Sequence, residues 1–336
     1  MARIQFGLAT SHGPMLSIPP EFWQERVSAD RENPRHFYKG RAFSFDEMVE
    51  LRGGERLVEQ ITPEVSAERH QRCQNAIRQL ADFFEEHRPD VAVVVGNDQM
   101  EVFTGDHVPA LGVFWGEYVE GHPRTPEFLA KLNRAVARAE ADRTPPVYTQ
   151  YPCLPAMGKH MIESAIAEGF DVTQLRRLGV GEIGVNSAPH AYGFVYRRVM
   201  RDKVVPHVPV FVNTFYPPNQ PSAARCFAFG QALARAVASW PKDVSVAVIA
   251  SGGMTHFVVD EDFDVCVLES IRDGDAAALS KIPEAMFQSG TSEIKNWITV
   301  AGAMAEAGLA MNLVDYVPCY RSEAGTGSAM GFAKWC

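Results

Sequence analysis

The sequence predicts an α/β fold: a central, mostly buried, parallel or mixed sheet flanked by helices. Two observations predict it. Continuous apolar runs of strand length recur along the chain, and amphipathic stretches with helical period lie between them. The chain has 336 residues and 46% hydrophobic content, enough for one large core. It shows no internal repeat, low-complexity segment or clear linker, so we read 1–336 as a single domain.

The strands come first. Arg3–Ala9, Val91–Val95, Val208–Val212 and Val244–Ala250 are predominantly apolar runs, the pattern of strands buried on both faces. Each ends in polar or glycine-rich residues: Thr-Ser-His, Gly-Asn-Asp-Gln, Asn-Thr-Phe-Tyr and Ser-Gly-Gly-Met-Thr-His. Between them, residues 66–87 place Cys73, Ile77, Leu80 and Phe84 on one helical stripe. Residues 222–240 do the same with Cys226, Phe229, Leu233, Val237 and Trp240. Residues 19–65 break the rhythm with charge and aromatics, among them Phe22, Trp23, Phe37 and Tyr38. That stretch reads as an insert or lid.

Composition narrows the function. A formal net charge of −9 argues against a nucleic-acid partner. No apolar run is long enough to cross a bilayer. The opening MARIQFGLAT reads as a strand, not a signal peptide. The six cysteines are scattered, with no CxxC pair and no disulfide framework. The expectation is a cytoplasmic protein without a thiolate metal site, and a homo-oligomer.

In open α/β sheets the residues just past the strand ends line the ligand crevice. Here they include His12, Asp98, Gln99 and His256. Two glycines before Thr255-His256 let the backbone turn tightly after a core strand. Glu293 lies at the start of the helix in SGTSEIKNWITVAGAM, where the helix dipole alone would explain it. His12 alone is equally consistent with a capping histidine. Together, two histidines and a carboxylate from separate loops suit a metal site that leaves positions open for substrate and dioxygen. From the residues alone the reading is a metal-dependent α/β enzyme.

The motifs in order resemble the class III extradiol ring-cleavage dioxygenases, specifically the catalytic subunit type of protocatechuate 4,5-dioxygenase and its gallate and methylgallate relatives. MARIQFGLATSHGPML is similar to the opening strand with an iron-binding histidine, which maps to His12. SWPKDVSVAVIASGGMTHFV resembles the strand carrying the catalytic base, which maps to His256. SGTSEIKNWITVAGAM resembles the helix carrying the iron-binding glutamate, which maps to Glu293. APHAYGF occupies the place of a second active-site histidine, His190. The resemblance implies Fe(II), dioxygen and a small aromatic substrate of catechol type, with the ring opened beside the diol. It implies that His256 takes a phenol proton and returns it at O–O cleavage, and that His190 hydrogen-bonds a substrate or oxygen atom.

One departure stands out. In VVVGNDQMEVF, Gln99 takes the place of the second iron-binding histidine. Three outcomes follow: Gln99 ligates through its oxygen, Glu101 or His36 substitutes, or metal binding is weak. A second departure is the insert at 19–65, which the resemblance casts as a cover over the site, built in cis. Near the C-terminus, YRSEAGTGSAMGF offers Arg321 as a partner for a substrate carboxylate, with Ser322 and Thr326 as hydroxyl contacts. Two other readings keep the same residues: a metal-dependent hydrolase, and a non-catalytic partner subunit, for which Gln99 is the best support.

Overall fold

The computed structural model describes residues 1–182, 184 and 187–336. Strands in chain order are β1 Arg3–Thr10, β2 His36–Tyr38, β3 Arg41–Phe43, β4 Val91–Gly96, β5 Leu111–Phe114, β6 Tyr118–Gly121 and β7 Thr149–Pro152, then β8 Thr173–Leu175, β9 His207–Val212, β10 Ser245–Ser251, β11 His256–Val258, β12 Met311–Tyr320 and β13 Thr326–Trp335. Helices are α1 Val27–Glu32, α2 Phe45–Leu51, α3 Pro63–His87, α4 Pro126–Leu129, α5 Arg134–Ala139 and α6 Pro155–Ala167, then α7 His190–Phe194, α8 Ala223–Ala238, α9 Glu261–Arg272, α10 Ala276–Lys281 and α11 Ile294–Ala307.

The main sheet runs β11-β13-β1-β10-β4-β9-β5-β8, with β12 paired to β13. Its centre, β1-β10-β4-β9, is parallel throughout and consists of the four apolar runs legible in the sequence. Antiparallel strands flank it: β13 beside β1, and β5 beside β9. The sheet is therefore mixed. Strand alternation splits each run between two cores. Val91, Val93 and Val95 face the side covered by α6, α8 and α11, whereas Ala92 and Val94 face the side of α3 and α7. No helix among the described residues is long and apolar enough to cross a membrane.

Because the central strands are parallel, their C-terminal ends share one edge. Thr10 lies opposite Ser251, and Ala250 opposite Val95. The loops carrying His12, residues 97–99 and residues 252–256 thus leave the sheet side by side. Helix α11 is held against α8 at backbone contact. A Cβ on Gly302 would stand 2.0 Å from the Phe227 carbonyl oxygen, and one on Gly230 would stand 1.8 Å from that of Thr299. Asn296 and Trp297, in the first turn of α11, donate to the carbonyls of Ser251 and Gly252, both at 2.8 Å. These contacts bring Glu293, just ahead of α11, to the edge where the strand-end loops emerge.

The helix at 66–87 is longer than its periodicity indicates: α3 begins at Pro63, capped by Thr62, so the insert ends at residue 62. The 19–62 segment folds as short helices and the β2–β3 hairpin, and its Phe45 and Met48 bury against Val258 and Ala324. The long β12–β13 hairpin was not legible in the sequence. β12 alternates around polar residues, and β13 is rich in small residues that have weak strand preference.

This hairpin revises three expectations. Arg321 closes a buried two-pronged pair on Asp30 of α1, with Nε and Nη2 each 2.7 Å from a carboxylate oxygen. Thr326 donates its hydroxyl to the same carboxylate at 2.7 Å, and Ser322 Oγ lies 2.6 Å from Thr326 Oγ1. Thr326 therefore ties the hairpin to Asp30 of the insert, Ser322 supports Thr326 from within the hairpin, and neither lines the cavity described below. Arg321 borders that cavity, but Asp30 answers its charge. Burial opposes ionisation of Asp30, and the Arg321 guanidinium outweighs it, holding the carboxyl below its usual range. Replacing Asp30 with alanine leaves Arg321 buried and unanswered. The expected loss of folding stability is about 3–5 kcal/mol, to be read from urea denaturation midpoints against wild type.

Candidate metal and substrate site

Each candidate histidine is oriented by a partner for its Nδ1. The Ser251 hydroxyl donates to the Ala191 carbonyl at 2.6 Å, so its oxygen accepts from His12 Nδ1–H at 2.9 Å. His190 opens α7, where its Nδ1 lies 2.5 Å from Glu101 Oε2 and its backbone N–H donates to Glu101 Oε1 at 2.9 Å. His256 donates Nδ1–H to the Met254 carbonyl at 2.7 Å. Its ring lies between two glycines: a Cβ on Gly290 would come within 2.2 Å of the ring, and one on Gly253 within 2.6 Å. With Nδ1 used as a donor in all three rings, each Nε2 is the atom left to hold a proton or a metal ion.

Those atoms converge on one carboxylate. His12 Nε2 stands 3.2 Å from Glu293 Oε2 and 3.1 Å from His190 Nε2, and His256 Nε2 lies 3.7 Å from the same oxygen. Gly253 N–H donates to Oε2 at 2.9 Å. Asn97 and Gln99 donate their amides to Oε1 at 3.2 and 3.1 Å. His12, His190 and Glu293 are all buried, and their ligand atoms lie within 4.8 Å of one another.

This donor set fits a divalent cation. Two imidazole lone pairs pointed at each other beside an anionic oxygen repel unless a proton or a metal ion stands between them. Cis donors on a six-coordinate ion with bonds of ~2.1 Å are about 3 Å apart, which matches the spacings found. The partners of Nδ1 are those that commonly orient metal-bound imidazoles: a carboxylate, and a hydroxyl in turn tied to a carbonyl.

The electrostatics agree. Burial opposes ionisation of Glu293, but the surrounding His12, His256 and His190 hold its carboxyl far below the usual range. Burial lowers the pKa of His12, although Glu293 opposes this. Burial would also lower His190, but the Glu101 carboxylate outweighs it and raises His190 above the ordinary imidazole value.

The residues around Gln99 are ordered by Asp98, whose carboxylate accepts the backbone N–H groups of Glu101, Val102 and Phe103. β4 has ended at Gly96, so Glu101 does not continue a strand; the turn directs it onto His190. His36 does not reach the site: it is buried in β2 with Nε2 2.8 Å from the Asp30 carbonyl oxygen. Gln99 reaches it by touching Glu293. Sequence reasoning missed Ser251, Asn97 and the role of Glu101, because no spacing rule connects residues paired across such chain separations.

The cluster opens into a cavity of about 310 Å³. Met15, Phe128, Leu132, Val136 and Phe257 supply apolar walls, and Arg26, from the insert, also borders it. A wider hollow of about 950 Å³ lies beside Trp115, Tyr118 and Arg176, but none of the convergent groups lines it.

A parallel-centred α/β sheet with two histidines and a buried glutamate at its carboxyl edge defines a class, and comparison of the chain with protein families gives it a name. Residues 57–327 match the family described as the catalytic LigB subunit of aromatic ring-opening dioxygenase, and the chain belongs to that family. His190, His256 and Glu293 fall within the match, and His12 precedes it. Among individual proteins, the chain is similar to a gallate dioxygenase of Pseudomonas putida strain KT2440, 33% identical over 111 residues. That segment is 32% of this chain and 29% of the relative.

A metal ion at these imidazoles competes with protons for Nε2. Because the His190 pKa is raised, affinity for Zn(II) is expected to fall about tenfold per pH unit below that pKa, with about one proton released per ion bound. Anaerobic calorimetry in buffers of different ionisation enthalpy measures both. A flat profile between about pH 5.5 and 8.5 would contradict this competition.

Proposed function

We propose that the chain is an Fe(II)-dependent extradiol dioxygenase that opens a catechol-type ring, on a substrate such as protocatechuate, gallate or methylgallate. The observation that carries this reading is the convergence of three imidazole Nε2 atoms and one ionised carboxylate at the end of a ligand-sized cavity. Membership of the ring-opening family supports it. The short match to gallate dioxygenase points the same way.

Fe(II), when bound, supplies a centre where diol and dioxygen meet and exchange electrons. His12 and Glu293 would hold it, and His190 Nε2 is the nearest third donor. On this geometry Gln99 braces the Glu293 carboxylate with its amide, and His190 takes the ligand position that sequence reasoning gave to Gln99. His256 is the base. Its Nε2 lone pair faces the cluster, and the Met254 carbonyl fixes the ring's orientation. It takes a phenol proton, and the imidazolium so formed lies beside Glu293, which holds it until the proton is returned. The 19–62 insert covers the cavity in cis, locked there by Asp30.

Two measurements test the reading. Protein loaded with Fe(II) without air should take up one dioxygen per ring in an oxygen electrode over a catechol panel, and His256→Ala should lose roughly 10²–10⁴ in kcat while keeping its iron. Zinc in place of iron, with no uptake on any catechol, would instead favour a hydrolase. Separately, His190→Ala should weaken Co(II) binding tenfold or more, and Gln99→Ala much less. The reverse order would return the third ligand position to Gln99.

A further inference from the structure

The cavity is lined by groups of both signs. Glu293 and Glu101 border it beside the histidines, and Arg26, Arg124 and Arg143 border it too, guanidiniums that outnumber the carboxylates paired with them. Arg124 and Arg143 share one partner, Glu140: Arg124 Nε lies 2.6 Å from Oε2, and Arg143 Nε lies 3.4 Å from Oε1. These side chains are 4%, 12% and 8% exposed, so solvent does little to answer their charge. Among the described residues, Arg124 Nη1 and Arg143 Nη2 are buried without a hydrogen-bond partner. A buried donor left unmade is destabilising, and a ligand oxygen would satisfy it.

Arg26 adds a third cation. It borders the cavity, and among the described residues no carboxylate or carbonyl is hydrogen-bonded to its guanidinium. Burial lowers its pKa, and the nearby Arg321 and Arg143 lower it further, with only Asp30 opposing. Asp30 is already committed to Arg321 and Thr326. Like charges gathered in a half-dry cleft indicate a missing anion. The apolar walls of Met15, Leu132 and Val136 lie along the same cavity and suit a ring.

We propose that Arg26 and Arg143, with Arg124 paired to the same Glu140 as Arg143, form a subsite for a carboxylate on the aromatic substrate, positioning the ring so that its diol faces the histidine cluster. This rests on the ring-cleavage reading above and assigns the anion to these residues in place of Arg321. A carboxylate suits the site because its two oxygens can accept from two guanidiniums at once.

The test separates binding from cleavage. Anaerobic calorimetry with the whole protein as purified would compare 3,4-dihydroxybenzoate with 3,4-dihydroxybenzamide, which has the same shape without the charge. Wild type should prefer the acid by about tenfold or more. Arg26→Met and Arg143→Met should each erase most of that preference while leaving amide affinity within about twofold, with thermal melting to confirm folding. Should Arg143→Met fail to fold, Arg26→Met alone decides. Equal affinity for acid and amide in wild type, no binding of the acid, or a preference that survives Arg26→Met would each overturn the subsite. A preserved acid preference with no oxygen uptake by the iron-loaded protein would overturn the dioxygenase reading and leave the subsite standing.

Discussion

The ionised carboxylate of Glu293, almost sealed from solvent, is the constraint around which this molecule is arranged. A charge in such a place persists only if it is answered locally. Three histidines, the amides of Asn97 and Gln99, and the Gly253 N–H supply the answer. They come from the ends of β1, β4 and β10 and from the start of α7, so parallel strand direction is a condition of the site. The backbone contact between α8 and α11 is another, since a looser packing would draw Glu293 away from the sheet edge.

Orientation of the rings depends on a shell of ordinary hydrogen bonds. Ser251, Glu101 and the Met254 carbonyl each take the Nδ1 side of one histidine and turn its lone pair inward. Asp98 is never in the site, yet it folds the 101–103 turn that brings Glu101 onto His190. These are the groups that convert an assembly of nearby imidazoles into a donor set with one geometry. The outer end of the cavity is built differently, from the insert, the hairpin and the segment around α4 and α5. Asp30 joins the first two through Arg321 and Thr326. His12 and most of the insert lie ahead of the family match.

Much of the frame was legible in the sequence. The four apolar runs became the parallel centre of the sheet, the two periodic stretches became α3 and α8, and His12, Gln99 and His256, just past strand ends, line the crevice. His12, His190, His256 and Glu293 were named from local motifs and meet in the structure. The groups that sequence chemistry suggested but packing engages elsewhere share a cause: His36 meets the Asp30 carbonyl, Arg321 and Thr326 meet the Asp30 carboxylate, and Ser322 meets Thr326.

What the sequence determined by itself was periodicity and residue type, because burial on one or both faces of a strand or helix writes itself into near neighbours along the chain. What only the tertiary structure decided was pairing: which carboxylate serves His190, which guanidinium is satisfied and which is left wanting, and whether Gln99 faces a metal or braces a glutamate. Those outcomes depend on distances between residues far apart in the chain, and such distances are fixed by packing, which no local pattern encodes.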